Sequence, residues 1–529
     1  MAFLCKPPLQ EGGHARVVFG EQDAHFESIV ARIGQGRALS PIFQVGVMQW
    51  RSESSALRLP FRMTRSTSAR RCFPGASSVA IALLGGCVHY QPRPIEPASV
   101  VMQLDARTLS DPGLARAAEP AHLAAAWPPQ IWDLQTLTVA ALYYHPDLEV
   151  ARASWDLARA GLITAGERPN PTVAAGPGYN SSTPAHTITP WILNINLDFT
   201  IETAGKRGLR IGQAQGMSDA ARFTIASTAW QVRARVRQSL LDLFSATEIA
   251  AVLERQRAIQ ENNVALLQRQ LTAGMISTFE MTQARLILDT IRLALVDAQR
   301  LEQDARARLA TAIGISVSSL DGVRLGLDQF RSISAEIPPT AATREALLNR
   351  ADVLSALSAY DASQSALQLE IARQYPDVHL GPGYQMDQGS NKWTLLVPIA
   401  VPVFSRNRGP IAEAEARRTV AATQVTAVQA TAIGAIDRAL AGYKTAREKV
   451  SVADQLLEQV RSLEATGRAQ LAAGDISQLD LGLIQSEVAS RELARLEALV
   501  QLQQVAGDIE DAMQRPIDLP LNPLPRNPQ

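Results

Sequence analysis

Cys87 has the most chemically suggestive surroundings in the chain. It closes the run Leu84-Gly85-Gly86-Cys87, in which small residues leave the preceding peptide bond open to a peptidase and the sulfur can carry a thioether-linked diacylglycerol. Upstream stand Arg65, Arg70 and Arg71, then a short apolar run from Val79 to Leu84. A basic segment, an apolar run and a small-residue cleavage site make a secretory signal, too short to cross a bilayer as a helix. Residues 63–86 therefore read as a lipoprotein signal peptide ending in a lipobox, with Cys87 as the lipidated residue; a buried structural cysteine is the alternative. Such a signal must stand at the start of a chain. Residues 1–62 accordingly read as a non-native N-terminal extension upstream of a start at Met63, the alternative being a small extra cytoplasmic domain. No sustained periodicity runs through them.

Other chemistry is sparse. The cysteines are Cys5, Cys72 and Cys87, all near the start, so the long remainder can form no disulfide. The histidines, His14, His25, His89, His122, His145, His186 and His379, are scattered with no two at metal-ligand spacing. His145 beside Pro146 reads as a helix start, and Met275 and Met281 as packing residues. No metal site is expected, and no cofactor beyond the lipid on Cys87. No phosphate-cradling glycine loop and no paired nucleophile and base occur in a recognisable motif, so an enzyme is the least expected class. Formal net charge is zero, which gives no electrostatic reason to expect a nucleic-acid partner.

Self-similarity organises the rest. Pro171-Thr-Val-Ala-Ala-Gly-Pro-Gly-Tyr179 recurs as Pro376-Asp-Val-His-Leu-Gly-Pro-Gly-Tyr384, a shift of 205. The shift falls to 201 between Lys206-Arg207-Gly208 and Asn407-Arg408-Gly409, and to 200 between Ala273-Gly274-Met-Ile276-Ser277 and Ala473-Gly474-Asp-Ile476-Ser477. One shortened hairpin accounts for the slip. The body is therefore two copies of one unit, 133–315 and 341–514, joined by a linker, 316–340. An N-terminal segment, 87–132, and a Pro- and Asn-rich tail, 515–529, flank them.

Each unit should begin with a helix of about 30 residues, near 135–167 and 342–373. Each continues, after a gap, into a helix near 208–272 and 409–472 whose apolar residues recur at spacings of three and four, as at Leu456, Val460 and Leu463. About 65 residues at 1.5 Å each make a rod on the order of 100 Å long, suited to coiled-coil packing.

The gaps between short and long helices carry a different period. Leu193, Ile195, Leu197, Phe199 and Ile201 alternate with Asn194, Asn196, Asp198, Thr200 and Glu202. Trp393, Leu395, Val397, Ile399, Val401 and Val403 alternate with Thr394, Leu396, Pro398, Ala400 and Pro402. About ten residues with one wholly apolar face is the pattern of a transmembrane β-strand, and Tyr179, Trp191, Phe199, Tyr384, Trp393 and Phe404 suit interfacial girdles. A soluble two-layer sheet could show the same alternation. Pro398 and Pro402 imply an edge, bend or strand-to-helix junction. With Thr172–Tyr179 and Asp377–Tyr384 preceding, each chain offers four strands. Four cannot close a barrel, and open edges are not tolerated in lipid, so several chains must share one.

Two tandem units of helix, β-hairpin, long helix, Ala-Gly-x-Ile-Ser turn and returning helix, over about residues 130–515, resemble the TolC-like outer-membrane factor family. The lipobox adds similarity to its lipoprotein branches. The junction Ile201-Glu-Thr-Ala-Gly205-Lys206-Arg207-Gly208, with Arg168-Pro-Asn-Pro171, is similar to the branch associated with heavy-metal cation efflux. The resemblance implies a mainly α fold with a small transmembrane β part: a homotrimer sharing a twelve-stranded barrel, four strands per chain, above a long coiled-coil helical barrel. It implies a passive outer-membrane conduit of a Gram-negative bacterium, docked on a periplasmic adaptor (membrane fusion) protein and served by an inner-membrane pump, of the proton-driven resistance type. Family members place an acid six positions after the tip glycine, where three copies form an entrance ring that favours cations; here these are Glu280 and Asp480. A helix dipole also favours an acid in its first turn, so a purely structural role stays open. A second acid three residues on is replaced by Gln283 and Leu483. Ala273, Gly274, Ile276 and Ser277, with Ala473, Gly474, Ile476 and Ser477, are implied adaptor contacts, although glycine stops and serine caps account for them structurally. A type I protein-secretion conduit and a poreless periplasmic coiled-coil lipoprotein scaffold are the competing readings.

Overall fold

The structure is a computed structural model, and it describes residues 90–118, 127–182, 189–332 and 340–516. Cys87 and the signal segment lie outside the described residues. The chain divides into two compact units, one spanning 36–106 and the other the remainder. In the first, helix α1 (Pro97–Asp105) opens with Pro97 and buries no residue. All that follows concerns the second.

That unit opens with α2 (Pro112–Ala118), then runs α3 (Leu134–Tyr144), α4 (Pro146–Gly166), β1 (Thr172–Tyr179), β2 (Trp191–Ile201), α5 (Lys206–Thr272) and α6 (Thr278–Ile313). Two 3₁₀ turns, Val317–Leu320 and Asp328–Phe330, lead to α7 (Thr340–Asn349) and α8 (Ala351–Ala372). The second set of long elements is β3 (Val378–Asp387), β4 (Ser390–Leu396), α9 (Arg408–Ala473) and α10 (Gln478–Met513). Among their described residues the N-terminal segment holds short helices and the linker two 3₁₀ turns.

The single 30-residue helix expected at the head of each unit is instead two. Pro146 lacks an N–H and pushes the preceding residue out of the helical region, and His145 is extended, at φ −69 and ψ 125, with its Nδ1 accepting from the Asp147 N–H at 3.1 Å. In the second unit no proline intervenes. Arg350 is extended there, and the Ala351 N–H is taken by Gln514 Oε1 at 2.8 Å. That break is made by tertiary contact.

The repeat is visible in the cores. Leu137 of α3, Val236, Leu240 and Phe244 of α5, and Leu309 and Ile313 of α6 form one. Ala346 of α7, Ile436 and Tyr443 of α9, and Ile509 and Met513 of α10 form the other. Each core draws mainly on corresponding elements of its own unit, and the first also takes Phe330 of the linker and Leu496 and Leu499 of α10.

The four strands form one antiparallel sheet in the order β1-β2-β3-β4. Tyr179 faces Trp191 and Tyr384 faces Trp393, with ring centroids 5.2 and 4.9 Å apart. Residues directly opposite share a face, and the register collects Val173, Tyr179, Trp191, Ile195, Leu197, Phe199, Leu380, Tyr384, Trp393 and Leu395 on one side. Asn194, Asn196, Asp198, Thr200, His379, Gln385 and Thr394 occupy the other. One face is apolar except for Asn391 beside the β3–β4 turn, and the other is polar except for Ile192 and Leu396, with His379 Nδ1 3.1 Å from Asp198 Oδ2. β4 is shorter than its alternation predicts. It stops at Leu396, with one bridge beyond, Val378 to Ile399; Pro398 has no N–H to donate, and β3 begins at Val378.

A polar clamp fixes the sheet to the helices. Lys206, buried at the start of α5, donates from Nζ to Asp377 Oδ1 and to the Tyr375 carbonyl, both at 2.7 Å, while Thr203 N–H donates to Asp377 Oδ1 at 3.0 Å. Burial tends to raise the Asp377 carboxyl, but the Lys206 and Thr203 hydrogen bonds outweigh it and hold the carboxyl below its usual range. The Ile201–Gly208 junction thus joins unit one to the first strand of unit two.

Candidate functional site: the helical hairpin tips

Each long helix ends in a glycine because its chain reversal needs a left-handed residue. Gly274 has φ 72 and Gly474 φ 85. The Gly274 N–H donates to the Leu271 carbonyl and the Met275 N–H to the Gln270 carbonyl, at 3.0 and 2.9 Å. Gly474 and Asp475 repeat the pattern on Leu471 and Gln470.

The returning helices start with reciprocal caps. Ser277 Oγ accepts from the Glu280 N–H at 3.3 Å, and Glu280 Oε2 accepts from the Ser277 N–H at 2.7 Å. Ser477 Oγ accepts from the Asp480 N–H at 3.2 Å, and Asp480 Oδ2 accepts from the Ser477 N–H at 2.9 Å and from its Oγ at 2.7 Å. These bonds, that from the Ser477 side chain first, hold the Asp480 carboxyl below the usual carboxylate range. Both acids are exposed, so each caps its helix while keeping a charged oxygen towards solvent.

Ala273, Gly274, Ser277, Ala473, Gly474 and Ser477 are exposed, whereas Ile276 and Ile476 are half-buried. Met281 is packed inside, as a packing residue should be, but Met275 is not; it stands exposed with Phe279 at the first tip. On α6, Phe279, Leu286 and Leu293 recur every seven residues and are 69%, 61% and 65% exposed. This spacing lines the three side chains along one side of the helix, as in a coiled-coil seam. The spacing was readable in the sequence; its exposure was not.

The two hairpins lie side by side near their tips. An added Cβ on Gly482 of α10 would stand 1.9 Å from Asn263 Oδ1 of α5. Asn263 lies nine residues before the end of α5 and Gly482 four after the start of α10. At 1.5 Å per residue the first hairpin therefore reaches roughly 8 Å further, and Glu280 and Asp480 stand at different levels.

A sheet largely apolar on one face and polar on the other, set on helical hairpins of 67 and 66 residues in their descending arms, has the pattern of a membrane β-barrel wall with a long helical extension. The chain belongs to the outer membrane efflux protein family, whose model matches residues 137–315 and 342–513, the two units of the repeat. It is 27% identical over 265 residues to the cobalt-zinc-cadmium resistance protein CzcC of Cupriavidus metallidurans, an alignment covering 50% of this chain and 61% of that protein. Among solved structures, a membrane protein from Pseudomonas aeruginosa superposes with a TM-score of 0.62 at 20% identity, covering 74% of this chain and 95% of that one. CusC, a protein described in terms of folding and transmembrane channel formation, superposes at 0.61 and 18%, covering 74% and 94%. These likenesses establish the mainly α fold with its small antiparallel sheet.

Proposed function

We propose that this protein is the outer-membrane channel subunit of a tripartite efflux system in a Gram-negative bacterium, a passive conduit for small solutes. The carrying observation is the four-stranded sheet with one face apolar but for Asn391 at a hairpin end, and two open edges. In lipid such edges must be closed. Three copies supply twelve strands, enough to leave a lumen where eight would be filled by side chains. The polar face then lines the lumen, and the exposed heptad stripe on α6 is covered by a neighbouring helix.

The tips face the periplasm in this reading, where Ala273, Gly274, Ile276, Ser277 and their counterparts Ala473, Gly474, Ile476 and Ser477 meet the helical hairpins of an adaptor linked to a proton-driven inner-membrane pump. Glu280 and Asp480, three copies each, give two acidic levels that favour cations. Likeness to a cobalt-zinc-cadmium resistance protein favours divalent metal cations as cargo. Cys87 carries the lipid that anchors the chain, which mass spectrometry of the mature N-terminus tests directly; Cys87→Ser should release no diacylglyceryl mass.

Planar-bilayer conductance of the detergent-extracted protein tests the whole. Discrete conductance with cation preference that weakens in Glu280→Gln and Asp480→Asn supports channel and entrance together. Unchanged preference in both removes the acidic entrance and leaves the channel. A folded, monomeric, non-conducting protein leaves the scaffold reading instead.

A further inference from the structure

We propose that residues 397–403 become, in the assembled protein, a seam strand paired antiparallel with β1 of a second copy, Val397 opposite Tyr179, Val401 opposite Ala175 and Val403 opposite Val173. The proposal rests on the homotrimer reading above and specifies which residues meet.

Within its own chain this segment has little to pair with. β3 begins at Val378, already bridged to Ile399, so everything past Ala400 lacks a partner strand. The alternation nevertheless continues through Val401 and Val403, each 72% exposed. The Val403 N–H turns back on the Val401 carbonyl at 2.8 Å, satisfying locally what no neighbour satisfies.

Hydrogen-bond direction selects the edges. His379 N–H donates to the Pro398 carbonyl at 3.4 Å, so even-numbered residues of this strand point their backbone groups at β3. Val397, Ile399, Val401 and Val403 point theirs at the open edge, and neither Pro398 nor Pro402 removes a donor from it. On β1 the Asn180 N–H donates to the Pro190 carbonyl at 2.8 Å, so even-numbered residues face β2. Val173, Ala175 and Tyr179 are left to the other open edge. Both edges thus present residues whose side chains lie on the apolar face, and joining them keeps that face continuous.

The internal repeat then sets the register. Placing the Tyr179–Trp191 pair on Tyr384–Trp393 shifts the first strand of the hairpin by 205 and the second by 202. Under these shifts the observed pairs Ile195–Tyr384, Phe199–Leu380 and Ile201–Val378 become Val397–Tyr179, Val401–Ala175 and Val403–Val173. A defect is carried over as well. The β2–β3 ladder is interrupted at Leu197, opposite Pro382, and the corresponding seam position is Ile399 opposite Pro177.

Disulfide trapping in the full chain tests this, with Cys5 and Cys72 first changed to serine. The pair Gly176→Cys with Ala400→Cys occupies opposite, non-hydrogen-bonded positions, about 4.5 Å apart between Cα atoms, inside the disulfide range of about 4.4–6.8 Å. An added Cβ at Gly176 meets nothing within 4 Å. Val401→Cys with Ala175→Cys is the second pair, about 5.5 Å apart. Mild oxidation should give a reducible ladder ending at a covalent trimer, at least about tenfold stronger than from Ala400→Cys with Ala174→Cys or Gly178→Cys, whose diagonal spacing of about 7–8 Å is too long. Equal or stronger trapping by either shifted pair overturns the register. No ladder from any pair, in protein trimeric by light scattering, overturns the seam and leaves the homotrimer standing. Monomeric mass overturns both.

Discussion

The Trp230 indole Nε1 donates to Asp511 Oδ1 at 3.1 Å, joining α5 of the first unit to α10 of the second across 281 residues of sequence. Around this bond, Arg233 Nη1 lies 2.9 Å from Glu510 Oε2, and Arg237 Nη2 donates to the Gln503 carbonyl at 2.8 Å. Gln503 Nε2 in turn donates to the Phe330 carbonyl at 3.1 Å. The linker and both units thus meet on one buried polar network, in which each charge is partnered.

Asp511 makes this network sensitive to pH. Burial raises its carboxyl most, opposed by Arg233 and assisted by Glu510, and it is pushed up to about 6 from 3.8. Between those values the folded protein holds a proton that the unfolded chain has lost, so this group's contribution to stability falls as pH rises from about 4 to about 6 and is flat above. After discounting for partial exposure the effect is on the order of 2 kcal/mol. Asp511→Asn keeps an acceptor for Trp230 and removes the titration. Its apparent Tm should exceed that of the unaltered protein at pH 7 and converge with it near pH 4; a constant difference across that range would refute the assignment.

Helix α5 approaches α8 through Gly216. An added Cβ there would stand 2.8 Å from the Ala362 backbone nitrogen and 2.9 Å from both the Ala362 Cβ and the Ser358 carbonyl. Backbone cannot rotate away, so Gly216→Val should force the helices apart and cost about 1–3 kcal/mol or more. Gly434 of α9 meets nothing within 4 Å, and Gly434→Ala should stabilise its helix by up to about 1 kcal/mol. Thermal melts of the two variants should move in opposite directions.

The two sheet faces make opposite predictions for one substitution. Ile195, between Ala175 and Tyr384 on the apolar face, and Asn196, between Ala174 and Gly383 on the polar face, are sequence neighbours. A lipid-facing arginine near the midplane of a membrane barrel costs about 2–4 kcal/mol, whereas lumen positions accept charge. Ile195→Arg should sharply reduce folded protein in the outer membrane and Asn196→Arg should not. Equal loss from both would point to a soluble two-layer sheet.

Much of this was legible in sequence because it follows local periods. The strands Thr172–Tyr179 and Trp191–Ile201, the long helices and the Gly274 and Gly474 stops all depend on residues within a few positions of each other. Three of the five residues of slip in the repeat come from the second hairpin, which closes in a tight turn at Gln388 and Gly389, both at positive φ; the other two are lost after the hairpin. What escaped reading was set by partners elsewhere. The alternation in β4 runs on to Val403 although β3 begins at Val378, opposite Ile399, α7 and α8 separate at Arg350 because Gln514 reaches in, and Arg237, Glu510 and Asp511 have no local pattern that marks them as packed together.

The caps and the charges at the tips are separable through pH. The Ser477 side chain is the main cause of the lowered Asp480 pKa, so a channel whose entrance uses Asp480 keeps its negative charge, and its cation preference, at pH values where an ordinary carboxylate is already protonated. Ser477→Ala removes that bond and moves the pKa back up. Its cation preference should match the unaltered protein at pH 7 and fade at a higher pH as the bath is acidified, while amide exchange in residues 475–482 becomes several-fold faster because the cap is lost. Asp480→Asn should lack the preference contributed at this level at every pH. If Ser477→Ala speeds exchange but leaves the pH profile of selectivity where it was, the Asp480 carboxylate serves the helix and not the ion path.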